Sequence, residues 1–263
     1  MSDHFLLAVA QSPGGLDGTK ARLDWLDAQL AAMADDRPDL LLLPELFLSG
    51  YHIPATLPAR AEPADGAGAR AVADLARHHG VAIHYGWPEA DGGAVYNAAQ
   101  GFGPDGARQG HHRKLAIPPG WERAHFTPGA GCRLFDWRGL RIATLICYDV
   151  ELGECVRHVA QQGAQLVLAP TALGAQWGWV ARSMIPTRAY ENGVFLAYAN
   201  HCGHENGLGY LGESVIAAPD GVELARAGAA PGVLTARIDP ARATAAQDRL
   251  PYLRDCRSLR LDG

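Results

Sequence analysis

The apolar positions of this chain gather into short unbroken runs, separated by stretches in which apolar residues recur every third or fourth position. Phe5 to Gln11 predicts a first strand and Asp17 to Met33 a helix, with Leu23, Leu26, Leu30 and Met33 on one face. Pro38 ends that pattern ahead of Leu40-Leu41-Leu42-Leu43, a run short and bounded enough to be a buried strand, with Glu45 leaving its carboxyl end. Gly50 to Gly66, with Pro54, Pro58 and Pro63, reads as an irregular loop, Ala67 to His79 as a helix stopped by Gly80, and Val81 to Trp87 as a strand. Val95 to Phe102 starts a hairpin that turns at Gly103-Pro104-Asp105-Gly106 and returns towards Lys114. Later strands are expected at Arg133 to Asp136, Arg141 to Cys147, Leu166 to Pro170, Val194 to Asn200, Glu213 to Ala218 and Gly232 to Ile238. Helices are expected near Glu154 to Gln162 and Ile185 to Asn192, the second with Pro186 in its first turn and Gly193 as its stop. Hairpins mixed with βαβ units argue for an α/β sandwich of two mixed sheets with helices outside, rather than a purely parallel sheet.

Composition narrows the function classes. At 263 residues the expectation is a single domain spanning 1–263, with Ala241 to Gly263, charged and weakly periodic, as an extension packing on that domain or on a partner subunit. The net charge of −5 and the lack of a basic patch argue against nucleic acid as a partner. No apolar run is long enough to span a bilayer and Met1 to Gln11 lacks a basic, signal-like start, so no membrane association and a cytoplasmic location are expected. Cys132, Cys147, Cys155, Cys202 and Cys256 are odd in number and contain no Cys-x-x-Cys, which disfavours a disulfide framework. His201, Cys202 and His204 cannot easily converge on one ion from a single strand, so no metal or other cofactor is expected and these histidines, with His111 and His112, are read as loop residues near a site entrance.

Three polar residues stand at the boundaries of apolar runs: Glu45 after Leu-Leu-Leu-Leu-Pro, Lys114 in His-His-Arg-Lys-Leu, and Cys147 after Leu-Arg-Ile-Ala-Thr-Leu-Ile. Strand-to-loop boundaries in α/β domains are where side chains meet ligands. A carboxylate, an ammonium and a thiol together supply the base, oxyanion stabiliser and nucleophile of acyl transfer. The thiol and carboxyl ordinarily differ by about 4 pKa units, roughly 6 kcal/mol, so their surroundings must shrink that gap. Lys114 is expected to lower the thiol, and burial to raise Glu45.

These residues extend into a longer pattern. Leu-Pro-Glu-Leu-Phe at Leu43 to Phe47, Arg113-Lys114, Glu122 followed by Phe126 and Gly129, Cys147-Tyr148-Asp149 with Glu154 and Arg157 behind it, Arg188-Ala189-Tyr190-Glu191-Asn192 and Asn200 occur in the order seen in the carbon-nitrogen hydrolase, or nitrilase, superfamily, which the chain resembles over nearly its whole length. The resemblance implies an α-β-β-α sandwich that forms a four-layer core on dimerisation, hence a homodimer or higher homo-oligomer. It implies Cys147 as nucleophile, Glu45 as base, and Lys114 with the Tyr148 backbone N–H as oxyanion holders. Glu122 would then be a second carboxylate that positions the amide nitrogen. Read from the residues themselves, Arg157, Arg188 and Glu191 are expected to hold helices and a subunit interface rather than touch substrate.

Cys147-Tyr148-Asp149 is similar to amidase branches rather than to the Cys-Trp-Glu of true nitrilases, and Val150-Glu151-Leu152-Gly153 lacks the bulkier or basic residues of carbamoylases. The expected reaction is hydrolysis of a small-molecule monocarboxylic amide to acid and ammonia through a cysteine thioester. N-carbamoyl-amine hydrolase, ω-amidase and nitrilase are alternatives using the same set, and a non-catalytic scaffold of the same fold is disfavoured by the presence of all three reactive groups. Many relatives carry Phe-Pro-Glu where this chain has Leu152-Gly153-Glu154; glycine frees φ and restores an N–H, so a looser loop below the nucleophile is expected. Tyr51, Trp121, Trp177, Trp179 and His201 are the candidate substrate wall.

Overall fold

The computed structural model describes residues 5–259. Its strands run in chain order as β1 (Phe5–Pro13), β2 (Leu40–Leu42), β3 (Ala82–Asp91), β4 (Ala94–Phe102), β5 (Arg108–Arg113), β6 (Leu134–Trp137), β7 (Leu140–Thr144), β8 (Leu166–Pro170), β9 (Phe195–Ala199), β10 (His201–Glu205), β11 (Leu208–Leu211), β12 (Val215–Ala217), β13 (Glu223–Arg226) and β14 (Gly232–Ile238). The helices are α1 (Gly18–Ala32), α2 (Leu57–Arg60), α3 (Ala67–His79), α4 (Trp121–His125), α5 (Tyr148–Glu151), α6 (Gly153–Gln161), α7 (Ile185–Asn192), α8 (Pro240–Arg249) and α9 (Tyr252–Ser258). One sheet has the order β11-β10-β1-β2-β3-β4-β5, with β14 antiparallel to β1, and the other the order β13-β12-β9-β8-β7-β6. Both mix parallel central pairs, such as β1–β2 and β7–β8, with antiparallel edges.

Alternation along the strands explains the stacking. Leu7, Val9, Leu40 and Leu42 of the first sheet meet Ile142, Leu166, Leu168 and Ala197 of the second between the sheets. Their neighbours Ala8, Ala10, Leu41 and Leu43 face outward onto Leu26 and Leu30 of α1 and Val72 and Ala76 of α3. In the second sheet Ala143, Val167 and Leu196 face Val156 and Val159 of α6 and Ile185 of α7. Strands covered on both sides must be apolar at every position, which is why these segments read as continuous hydrophobic runs. The result is the expected α-β-β-α sandwich.

Differences from the sequence pattern include whole short elements: α2 lies inside the 50–66 segment expected to be an irregular loop. The β10–β11 hairpin and β13 were not anticipated. The segment from residue 241 folds as α8 and α9 on its own domain: Ala243 is buried, Gln247 Nε2 donates to the Gly193 carbonyl at 3.2 Å, and Arg257 donates to the Gln161 carbonyl at 2.6 Å. The last four positions of that segment lie outside the described residues.

Candidate active site

Glu45 sits just past β2, where its backbone is gripped by both sheets: its N–H reaches the Thr171 carbonyl at 3.4 Å, and the chain turns at once through Leu46 with φ +50°. Gly86 of β3 runs so close that a Cβ there would lie 2.4 Å from the Leu46 nitrogen and 3.0 Å from Glu45 backbone atoms. Only glycine permits this approach.

Lys114, one residue beyond β5, is fully buried and donates to Glu45 Oε1 at 2.7 Å and to Glu122 Oε1 and Oε2 at 3.0 and 2.8 Å. Asn97 of β4 bridges the same carboxylates through Nδ2, at 2.7 Å to Glu45 and 3.1 Å to Glu122, and Tyr51 donates its hydroxyl to Glu122 at 2.6 Å. Glu45 Oε2 is buried with no partner among the described residues. Burial pushes the Glu45 carboxyl up to about 7, against the pull of Lys114 and with the push of Glu122. Burial alone would lower Lys114, but the two carboxylates carry its ammonium well above its ordinary range.

Cys147 follows β7 by two extended residues and adopts φ +46°, ψ −103°, a conformation strained for any residue with a side chain. Its N–H is fixed to the Pro170 carbonyl at 2.9 Å, and α5 begins at the next residue. As the first residue of that helix, Tyr148 presents an N–H that no intrahelical carbonyl can take. Asp149, fully buried, locks this turn: Oδ2 accepts from the Ile146 N–H at 3.1 Å and His112 Nε2 at 3.0 Å, and Oδ1 from the Leu115 and Ala116 N–H groups at 3.0 and 2.7 Å. The nucleophile turn of one sheet is thereby bolted to the residues that follow Lys114 in the other. The thiol departs from expectation: burial and the Glu45 charge push it well above its usual value and outweigh the lowering by Lys114.

A cleft of about 440 Å³ opens over Cys147, lined also by Tyr51, Trp121, Glu122, Tyr148, Glu151 and Trp177. Tyr51 and Trp121 meet edge to face at 5.1 Å. Two residues of the expected substrate wall lie elsewhere. Trp179, at the head of the helical segment Val180–Met184 that runs into α7, is 68% exposed and does not line the cleft. His201 lies behind Glu45: Nε2 donates to the Glu45 carbonyl at 2.8 Å and Nδ1 accepts from Ser12 Oγ at 2.9 Å. Burial, with Arg22 nearby, lowers its imidazole to about 4, so it stays neutral and holds the base's backbone. His112 is likewise buried on β5 against Asp149 rather than loop-borne.

The loop below the nucleophile is not slack. Gly153 begins α6, and a Cβ there would lie in tight contact with the Arg188 guanidinium, 3.3 Å from its Cζ; that guanidinium donates to the Glu151 carbonyl at 2.7 Å. Sequence reasoning missed Asn97, Asp149 as a tie, and Glu205, whose carboxylate takes Arg22, the Tyr51 and His52 N–H groups and the Tyr210 hydroxyl, and so fixes the loop carrying Tyr51. Among the described residues no group of three or more His, Cys, Asp or Glu is placed to hold a metal ion, and no helix is long and apolar enough to cross a membrane.

Known proteins share this arrangement of chain. The carbon-nitrogen hydrolase family model matches residues 6–248. A Pseudomonas protegens protein described as a hydrolase in the pqqF 5' region is 41% identical over 214 residues, covering 80% of this chain and 75% of its own. An (R)-stereoselective amidase of Pseudomonas sp is 35% identical over 235 residues, covering 89% of this chain and 84% of its own. Among solved structures, a mutant of the amidase from Nesterenkonia sp. AN1 in complex with butyramide is similar with a TM-score of 0.84 at 34% identity, covering 97% of each chain.

Proposed function

Because this chain belongs to the carbon-nitrogen hydrolase family, we propose that it hydrolyses small monocarboxylic amides to the acid and ammonia through a thioester on Cys147. The observation that carries this reading is the buried Lys114 ammonium clamped between Glu45 and Glu122 at 2.7 and 2.8 Å, beneath a cleft whose lining includes Cys147. Butyramide bound to the Nesterenkonia amidase supports the substrate class.

The sulfur of Cys147 attacks the amide carbon while its proton passes to Glu45 Oε2, the oxygen left without a partner. With the thiol raised well above its usual range and Glu45 near 7, a free thiolate is disfavoured in the resting site, so proton transfer accompanies attack. Lys114 turns one of its two Glu122 contacts towards the oxyanion, joined by the Tyr148 N–H. The intermediate collapses as Glu45 returns the proton to the amide nitrogen, and ammonia leaves. Water, deprotonated by Glu45, then attacks the thioester carbon; the acid departs and the sulfur regains its proton.

Ammonia release from a panel of amides, ureides and nitriles, beside intact mass spectrometry of the acylated enzyme, tests this. Amides are expected to be turned over with a transient acyl adduct on Cys147 that Cys147→Ala lacks. Turnover of nitriles or ureides without amides, or an undiminished Cys147→Ala enzyme, would overturn it.

A further inference from the structure

One wall of the cleft carries a carboxylate for which the thioester chemistry has no use. Glu151 ends α5, one turn after the nucleophile, and its side chain lines the cleft with Cys147, Tyr148 and Trp177. Its carboxylate makes no hydrogen bond or ion pair with any described residue, since Arg188 bonds only the Glu151 backbone carbonyl and gives its other terminal nitrogen to Glu191. No lysine or arginine lines the cleft, and Lys114 beneath it is already matched by Glu45 and Glu122. One ammonium therefore faces three carboxyl groups, in a recess whose remaining walls are mostly aromatic and aliphatic.

We propose that Glu151 selects the acyl half of the substrate by charge: the enzyme favours amides whose acyl chain ends in a protonated amine over neutral amides of equal length, and turns away those ending in a carboxylate. This rests on the amide-hydrolase reading of the same cleft. A half-buried carboxylate that no protein cation pairs directly gains an ion pair when an ammonium docks against it, and the low-dielectric walls strengthen that attraction. A second carboxylate in the same recess meets repulsion, with no lysine or arginine in the cleft lining to pair it. Burial raises the Glu151 carboxyl above its ordinary range, only partly offset by Lys114 and Arg188, and an ammonium docked against it would pull it back down.

The test is kcat/KM for matched amides: glycinamide, β-alaninamide and 4-aminobutyramide against propionamide, butyramide and valeramide, with succinamate as the anionic counterpart of butyramide. At one chain length the ammonium member is expected to exceed its methyl counterpart by about tenfold, or about 1.4 kcal/mol, with succinamate at least as far below butyramide. Glu151→Gln is expected to bring both ratios towards one; ratios are read within one enzyme, so a general loss of activity in the variant does not blur them. Hydrolysis of butyramide without an ammonium preference at any length, or a preference unchanged in Glu151→Gln, overturns this inference and leaves the amidase reading standing. Silence towards every amide, neutral ones included, overturns both.

Discussion

Asparagine at position 149 would keep the shape of the side chain and remove its charge. Each Asp149 oxygen accepts two hydrogen bonds, Oδ1 from Leu115 and Ala116 and Oδ2 from Ile146 and His112. Whichever way the new amide turns, its NH2 group faces two buried donors. Two bonds to a charged acceptor are lost, at about 1.5–3 kcal/mol each, and the surviving two lose charge assistance. The expected destabilisation of Asp149→Asn is about 3–6 kcal/mol, a large share of the 5–15 kcal/mol typical of a folded domain. Because the freed N–H groups belong to the residues following Lys114 and preceding Cys147, kcat should fall more than KM rises. Urea denaturation followed by circular dichroism, with amide hydrolysis on the same preparation, measures both. His112→Phe serves as a control that removes one of the four donors, for which about 1–3 kcal/mol is expected. An Asp149→Asn protein within about 0.5 kcal/mol of wild type and with unaltered kcat would refute the argument that this carboxylate bolts the two sheets together.

Three further outcomes follow from the same geometry. With Glu45 near 7, kcat/KM should fall as pH drops through that value, because the base becomes protonated; since the folded state binds this proton more tightly than the unfolded chain does, Glu45 also makes stability decline as pH rises from about 4.5 to about 7, and loss of either trend in Glu45→Gln identifies the group. Cys147→Gly should be more stable than Cys147→Ala by about 1 kcal/mol, since only the alanine keeps a side chain at φ +46°, and equal melting midpoints would deny the strain. Gly86→Ala should cost about 1–3 kcal/mol and most of the activity, because the added methyl meets Glu45 and Leu46 backbone that cannot rotate away; an active, undisturbed variant would contradict that contact.

The chain announces those features that depend on local order. Strands buried on both faces must be apolar throughout, so the ends of β2 and β7, and the Glu45 and Cys147 placed just beyond them, are visible as breaks in composition, whereas Lys114 follows the polar β5 and stands out only within the longer motif. Residues that act from the middle of a strand send no such signal: Asn97 and His112 look like any polar residue of a hairpin until β4 and β5 are seen to carry them into the interior. His201 was misplaced for the same reason, since a histidine that ends up behind a carboxylate and one that ends up before a substrate have identical local sequence. The β10–β11 hairpin did carry a readable cue in Asn206-Gly207, both at positive φ, hidden by the unusual histidine-rich strand before it. The sign of the thiol's shift was beyond reach, because it depends on whether burial and Glu45 outweigh Lys114, a balance that only the folded arrangement sets.

That balance bears on the durability of the protein. Peroxides and alkylating agents attack thiolates, and a buried sulfur whose pKa is pushed well above its usual value presents few of them. Cys147 is thus guarded against chance electrophiles by the same burial that obliges it to wait for an amide, whereas Cys256 stands exposed on α9 and is the sulfur that such reagents meet first. An enzyme aged in air would be expected to record its history at Cys256 long before its nucleophile is spent.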